Sequence, residues 1–242
     1  MLKILLNGYK GRMGCAIASA AADCGCEIAA KTDMGDNPAD FINGVDVVID
    51  FSFRDVTPVL AKLCAENKKP LVIGTTGHSQ EQRAEILKYT SKIPIVWAGN
   101  YSIGVNLLNY LTKIAAEILP DNYDIEIVEM HHKFKKDAPS GTADKLLKIC
   151  QQARDVPDSN VKYGRCGITG ERSACEIGVH SLRGGSVVGD HTVIFAADGE
   201  RLELTHKAAD RKIFANGALR AAKWVADKAP ALYAMEDVLN LK

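Results

Sequence analysis

Residues 129–143 read EMHHKFKKDAPSGTA, two adjacent histidines and three lysines leading into a Pro-Ser-Gly-Thr step. Such a step, placed before an apolar helical pattern, supplies a hydroxyl cap at Ser140 and exposed N–H groups at Gly141 and Thr142. That is a binding site for a carboxylate or a phosphate. His132 and Lys135, on the approaching segment, add charge-assisted donors. Lys133 and Lys136 read as solvated side chains. The chemistry called for is capture of an anion by a local concentration of positive charge.

A second constellation lies at the other end of the chain. Gly8-Tyr9-Lys10-Gly11-Arg12-Met13-Gly14 follows a short apolar run and precedes a helical pattern. Glycines there permit a tight turn and close backbone approach, and the helix start offers free N–H groups to a pyrophosphate. The spacing is GxxGxxG, a variant of the dinucleotide fingerprint. Asp33 follows at the end of the next strand pattern, where an acid accepts hydrogen bonds from ribose hydroxyls and favours NADH. Lys10 and Lys31 are the cations that could meet a 2′-phosphate, so use of NADPH as well is left open. Gly74-Thr75-Thr76-Gly77 and Ala98-Gly99-Asn100-Tyr101 follow two further strand patterns, and ligands of open α/β sheets sit at such carboxyl ends. An anion site accompanying a dinucleotide loop points to a dianionic small-molecule substrate.

These loops need a scaffold, and the first hundred residues provide its pattern. Strand patterns at residues 2–6, 27–32, 45–51, 70–75 and 94–98 alternate with helical ones at 11–23, 55–67 and from a capping box at 79–82. Continuous apolar strands alternating with helices predict a doubly wound parallel sheet of the Rossmann-like α/β class. After about residue 100 the pattern changes. A helix over 103–118, a strand over 125–130 and a helix over 140–153 precede strands at 174–182, 186–196 and 201–205. These predict a second α+β domain with a mixed, largely antiparallel sheet. A last amphipathic helix, 209–228, is expected to return to the first domain. The division is therefore 1–102 with 206–242, and 103–205.

Composition limits the alternatives. Of 242 residues, 30 are Lys or Arg and 30 are Asp or Glu, so a general nucleic-acid binder is disfavoured. No apolar run approaches the roughly 18 residues that span a bilayer. The apolar start breaks at Gly8 after a strand's length and lacks a basic segment, so it reads as a strand and not a leader. Seven cysteines without paired framework spacing fit free thiols in a reducing cytoplasm, and no metal site is expected.

The chain resembles the 4-hydroxy-tetrahydrodipicolinate reductase (dihydrodipicolinate reductase) family from end to end. The resemblance is carried by GYKGRMG (8–14), IGTTG (73–77), AGNYSIGVN (98–106), EMHHKFKKDAPSGTA (129–143), VHSLRGGSVVGDHTVIF (179–195) and THKAADRKIFANGALRAAKW (205–224). It implies NAD(P)H-dependent reduction of the cyclic substrate, with loss of water, in the diaminopimelate route to lysine. It places His131 as proton donor and Lys135 as the second catalytic group. It assigns His132, Lys135, Ser140, Gly141 and Thr142 to the substrate carboxylates. Gly8, Tyr9, Lys10, Gly11, Arg12, Met13, Asp33, Gly74, Thr75, Thr76, Ala98, Gly99, Asn100 and Tyr101 fall to the cofactor, as does Arg211 from the returning segment. It also implies a homotetramer built by the second domain's sheet. The position after Asp33 is Met34 and not Arg, which weakens any strong NADPH preference. Two rivals are weaker. An aspartate-semialdehyde dehydrogenase needs a cysteine nucleophile, and neither Cys150 nor Cys166 has the setting. A dinucleotide sensor without turnover has no use for an acid donor.

Overall fold

The structure, a computed structural model, describes residues 1–241. The chain runs β1 (Leu2–Asn7), α1 (Arg12–Ala20), β2 (Cys26–Thr32), β3 (Val47–Asp50), α2 (Thr57–Glu66), β4 (Leu71–Ile73), α3 (Gln80–Leu87) and β5 (Pro94–Trp97). It continues with α4 (Ile103–Ile118), β6 (Asp124–His131), α5 (Gly141–Arg154), β7 (Val161–Tyr163), β8 (Ile177–Arg183), β9 (Gly189–Ala197) and β10 (Glu200–Ala208). It ends with α6 (Lys212–Val225), β11 (Ala231–Tyr233) and α7 (Met235–Leu239). Two compact units divide it: residues 1–103 with 211 onward, and residues 104–210.

In the first unit six strands form one parallel sheet in the order β11-β5-β4-β3-β1-β2. Its central strands β3, β4 and β5 are almost continuously apolar because both faces are covered, whereas the edge strand β2 carries exposed Glu27 and Lys31. Ile4, Leu6, Val47, Ile49, Val72 and Val96 face α1, α6 and α7. Leu5, Val48, Leu71, Ile73 and Ile95 face the layer formed by α2 and α3. Helix α3 starts as its sequence requires. The Ser79 hydroxyl accepts from the Gln82 amide at 3.2 Å, and the Gln82 side chain accepts from the Ser79 amide at 2.9 Å. Pro58 sits in the first turn of α2, where no intrahelical N–H is needed. The returning α6 packs Ala215, Ala218, Leu219, Ala222 and Val225 into the same core as α1. The edge strand β11 and the short α7 are additions that periodicity did not announce.

In the second unit five strands run β10-β9-β6-β8-β7. The residues just before Ile177 are irregular, so β8 starts later than its apolar pattern. The tight turn at Asp198-Gly199 joins β9 and β10 as an antiparallel hairpin, as its sequence predicts. Strands β8 and β9, consecutive in sequence, are not neighbours. Strand β6 lies between them, parallel to β8 and antiparallel to β9. Two of the four pairings, β6 with β8 and β7 with β8, are therefore parallel, more than the largely antiparallel sheet expected. The crossover through α5 makes this arrangement possible. Ile125, Ile127, Val179, Val193 and Phe195 face α4 and α5, together with Leu146, Leu147 and Cys150.

Candidate functional site

The first unit contains a built dinucleotide cradle. Gly8 has φ +84°, and a Cβ there would lie 2.3 Å from the Phe51 carbonyl oxygen. A Cβ on Gly14 would lie 2.2 Å from the Gly8 oxygen. Only glycine lets the turn after β1 close so tightly onto the start of α1. The N-cap of α1, Gly11, supplies no side-chain hydrogen bond, so the helix start presents its amides outward.

Asp33 follows the end of β2, beside the glycine loop. Its Oδ2 accepts from the Lys10 amide and its Oδ1 from the Met34 amide, both at 2.9 Å. Those backbone bonds, the Lys10 one first, hold its carboxyl below the usual range. A cleft of about 590 Å³ runs beside it, lined by Gly8, Lys10, Gly11, Asp33, Met34 and Phe53 among others. A second cleft of about 550 Å³ shares Gly11, Phe51, Ser52 and Phe53 with it and extends to Arg12, Met13, Gly74 and Thr76. Shape, exposed helix amides and a strand-end acid together fit a nicotinamide dinucleotide.

Not every residue expected to touch the cofactor offers its side chain. The Thr75 hydroxyl donates to Asp50 Oδ2 at 3.0 Å and accepts from the Ser52 amide at 2.9 Å. Asp50 itself is fully buried and also accepts from Asn7 at 2.8 Å and Thr57 at 2.7 Å. Thr75 is thus a strut of a buried carboxylate network. Tyr101 is 2% exposed, and its hydroxyl donates to the Ile73 carbonyl at 2.7 Å. Its ring belongs to the core, and burial raises its pKa. At both positions only the backbone is left for a ligand. Asn100 uses its side-chain oxygen to accept from the Ser102 amide at 2.8 Å. The amide of Ala98 is held by the Ile73 carbonyl at 3.2 Å. Gly99 sits in open space. Arg211 is exposed and stands at the N-cap position of α6 without a side-chain capping bond.

In the second unit one acid that sequence reasoning left without a role joins His131 to the start of α5. Glu129, fully buried on β6, accepts from Arg183 through two bonds of 2.8 and 2.9 Å. Its Oε2 lies 2.6 Å from His131 Nδ1, and its Oε1 accepts from the Ser140 amide at 3.2 Å. Burial pushes the Glu129 pKa up, but the hydrogen bonds from Arg183, then His131 and Ser181, outweigh it and hold the group at about 2. The imidazole of His131 therefore faces a permanent carboxylate. Opposite Glu129 on β9 stands His191, whose ring meets the His131 ring edge-on at 5.1 Å. Its Nε2 is 2.9 Å from the Ser140 hydroxyl. Burial first, and then the charge of His131, push the His191 pKa down to about 4.

Ser140 is the N-cap of α5, its hydroxyl accepting from the Ala143 amide at 3.2 Å. Its amide is on Glu129, and its hydroxyl is shared between the Ala143 amide and His191. It builds the start of α5 and ties it to Glu129. The amides at Gly141 and Thr142 open α5 and face the dipole's positive end outward. Lys135 lies in an ion pair with Asp137, at 2.9 and 2.8 Å. Asp137 is largely exposed, so a substrate carboxylate can replace it at small cost. His132 is half-buried and has a buried Nδ1 without a hydrogen-bond partner. Lys133 lies over the exposed Phe134 ring at 5.1 Å, and Lys136 is exposed. Neither converges on Glu129.

The comparisons with known proteins agree from end to end. The family model described as "Dihydrodipicolinate reductase, N-terminus" matches residues 2–101, and "Dihydrodipicolinate reductase, C-terminus" matches residues 104–239. The chain belongs to the dihydrodipicolinate reductase family. It is 53% identical to the 4-hydroxy-tetrahydrodipicolinate reductase of Akkermansia muciniphila, over 100% of this chain and 99% of that one. To the enzyme of the same name from Thiobacillus denitrificans it is 45% identical, again over 100% and 99%. The fold matches dipicolinate-bound dihydrodipicolinate reductase from Paenisporosarcina sp. TG-14 with a TM-score of 0.80 at 25% identity, covering 98% and 99% of the two chains. A probable dehydrogenase from Thermotoga maritima, at 12% identity and a TM-score of 0.64, shares the fold alone. As a member of this reductase family the chain is an oxidoreductase with a nucleotide-binding first unit. Among the described residues no helix is long and apolar enough to cross a membrane.

Sequence reasoning missed Glu129, Arg183 and His191 as site residues. One signal was present for the first: in a strand, Glu129 and His131 share a face. Arg183 and His191 become neighbours only through the pairings His131 to Arg183 and Glu129 to His191.

Proposed function

We propose that this chain reduces 4-hydroxy-tetrahydrodipicolinate to tetrahydrodipicolinate with loss of water, supplying reductase activity to the diaminopimelate route. The observation that carries the reading is the His131–Glu129 pair at 2.6 Å, set beside the start of α5. A proton donor and an anion-binding helix start in one place suit a dicarboxylate that accepts hydride at one carbon and a proton at the next. The bound nicotinamide cofactor supplies the hydride. His131 delivers the proton, and Lys135 stabilises the charge that develops on the substrate. Ser140, Gly141, Thr142, His132 and Lys135 hold the carboxylates, and Ser140 also fixes the helix start. Gly8, Tyr9, Lys10, Gly11, Arg12 and Met13 hold the pyrophosphate and Asp33 the ribose. Gly74, Thr76, Ala98, Gly99 and Asn100, with the backbone of Thr75 and Tyr101, serve the nicotinamide side, and Arg211 reaches the cofactor from the start of α6.

NADH is the favoured cofactor and NADPH is also accepted, because Asp33 stands with Lys10 close by but Met34 follows it. The working form is a homotetramer in the cytoplasm. The support for assembly is the open face of the second unit's sheet, where Val128, Met130, Leu182 and Ile194 remain partly exposed. Light scattering that returns the mass of one chain sinks the assembly. The activity is tested by coupling the protein to a dihydrodipicolinate synthase with pyruvate and aspartate semialdehyde. Synthase-dependent loss of NADH absorbance is expected, and its absence overturns the assignment.

A further inference from the structure

We propose that Glu129 is the positioning residue of this site, a single carboxylate that holds the His131 ring and the start of α5 in fixed register. The inference rests on the functional reading above and adds to it a residue that acts through another. Oε2 faces His131 Nδ1 at 2.6 Å and Arg183 at 2.8 Å, while Oε1 accepts from Arg183 at 2.9 Å and from the Ser140 amide at 3.2 Å. A carboxylate offers about four lone-pair directions, and these four bonds, with a further one from Ser181, leave none free. The side chain is fully buried, so no water competes for them.

The consequence for His131 is geometric. With Nδ1 committed to Glu129, Nε2 is the nitrogen that can meet a substrate. Gly189 packs close on that side, where a Cβ would lie 3.0 Å from Nε2, so a larger residue would crowd the ring. The His191 ring, edge-on at 5.1 Å, limits rotation from the other side. Arg183 already neutralises the Glu129 charge, so the carboxylate contributes direction more than field. Because the other oxygen holds the Ser140 amide, the proton donor and the carboxylate-binding helix start are indexed to one atom group. A substrate captured at Gly141 and Thr142 then has its reacting carbon at a set distance from Nε2.

Glutamine is the diagnostic replacement. Its amide has the same shape, but one end becomes a donor, which must then face Arg183 together with either His131 or the Ser140 amide. The experiment measures kcat and KM for wild type, Glu129→Gln, His131→Ala and the double variant in the synthase-coupled assay, with melting temperatures for each. Glu129→Gln should lose about 10- to 100-fold in kcat, part of the roughly 10²–10⁴ that a general acid contributes, with the KM for NADH near wild type. In the His131→Ala background the same change should cost less than about threefold, because its route of action is already gone. A structural role would lower both backgrounds alike, so additive losses overturn the positioning role, as does a near-normal kcat in Glu129→Gln. If Glu129→Gln does not fold, Arg183→Lys carries the test: it keeps the charge but breaks the two-pronged hold, and its loss should likewise vanish without His131. A near-normal rate in His131→Ala overturns the functional reading itself, whereas an impaired His131→Ala with additive losses overturns the positioning role alone.

Discussion

The amide of Lys10 donates to Asp33 Oδ2 at 2.9 Å, tying the acid at the end of β2 to the middle of the glycine loop. The carboxylate is thereby aimed before any cofactor arrives, and its charge is kept. Asp33→Ser should raise the KM for NADH by about 10-fold, the scale of one charge-assisted hydrogen bond, and lower that for NADPH by removing a charge that opposes the 2′-phosphate. Steady-state kinetics with both cofactors check this. An unchanged ratio of the two KM values removes Asp33 from cofactor choice.

His131→Ala should reduce kcat by roughly 10²–10⁴ while the affinity for NADH stays near wild type. The dissociation constant from fluorescence titration separates the two effects. Weakened NADH binding with an intact rate would place His131 in the wrong half of the site.

What the chain disclosed about itself followed the range of the interactions concerned. The glycine loop, the Ser79 capping box, the Asp198-Gly199 hairpin and the Ser140 cap depend on neighbours within a few residues, and all are legible as patterns. The placement of β6 between β8 and β9 depends on a crossover, and consecutive apolar runs at 174–182 and 186–196 invite a hairpin instead. The partners of Glu129 lie 54 positions away at Arg183 and opposite it at His191. Only sheet register joins them, and register is not written in spacing. The side-chain directions of Thr75 and Tyr101 were not legible for another reason. They occupy loops at the ligand end of the sheet, yet their hydroxyls turn inward to Asp50 and Ile73.

Thr142→Val replaces the hydroxyl at the second position of α5 with a methyl of similar size. The KM for the substrate should rise by about 10-fold with kcat less affected, since an interaction made equally before and during reaction is lost. A change confined to the KM for NADH would contradict the anion-site assignment.

Gly14→Ala places a Cβ 2.2 Å from the Gly8 oxygen and 2.5 Å from Tyr9 Cα, both backbone atoms that cannot step aside. A loss of about 1–3 kcal/mol in stability is expected, with cofactor affinity reduced by 10-fold or more as the loop opens. Gly44→Ala is the control, because a Cβ there meets nothing within 4 Å. Chemical denaturation and NADH titration of both variants make the comparison. Equal behaviour would mean that the loop tolerates widening.

Acid should destabilise the protein in two stages. His191 is 4% exposed and is held neutral down to about pH 4, by burial first and then by the charge of His131. Above about pH 6.5 the unfolded chain also carries this histidine neutral, so nothing is lost. Between about 6.5 and 4 the unfolded chain binds a proton that the native state refuses, and stability falls as pH falls, by at most roughly 3 kcal/mol. Glu129 acts lower. Its pKa of about 2 means its contribution is full above the ordinary glutamate range near 4.3 and is lost as pH drops toward 2. Calorimetry from pH 8 to 3 should show both declines in wild type. His191→Gln retains a hydrogen-bonding group for the Ser140 hydroxyl and removes the titrating group, so the upper decline alone should flatten. If the slope between pH 6.5 and 4 persists in that variant, His191 is not its source.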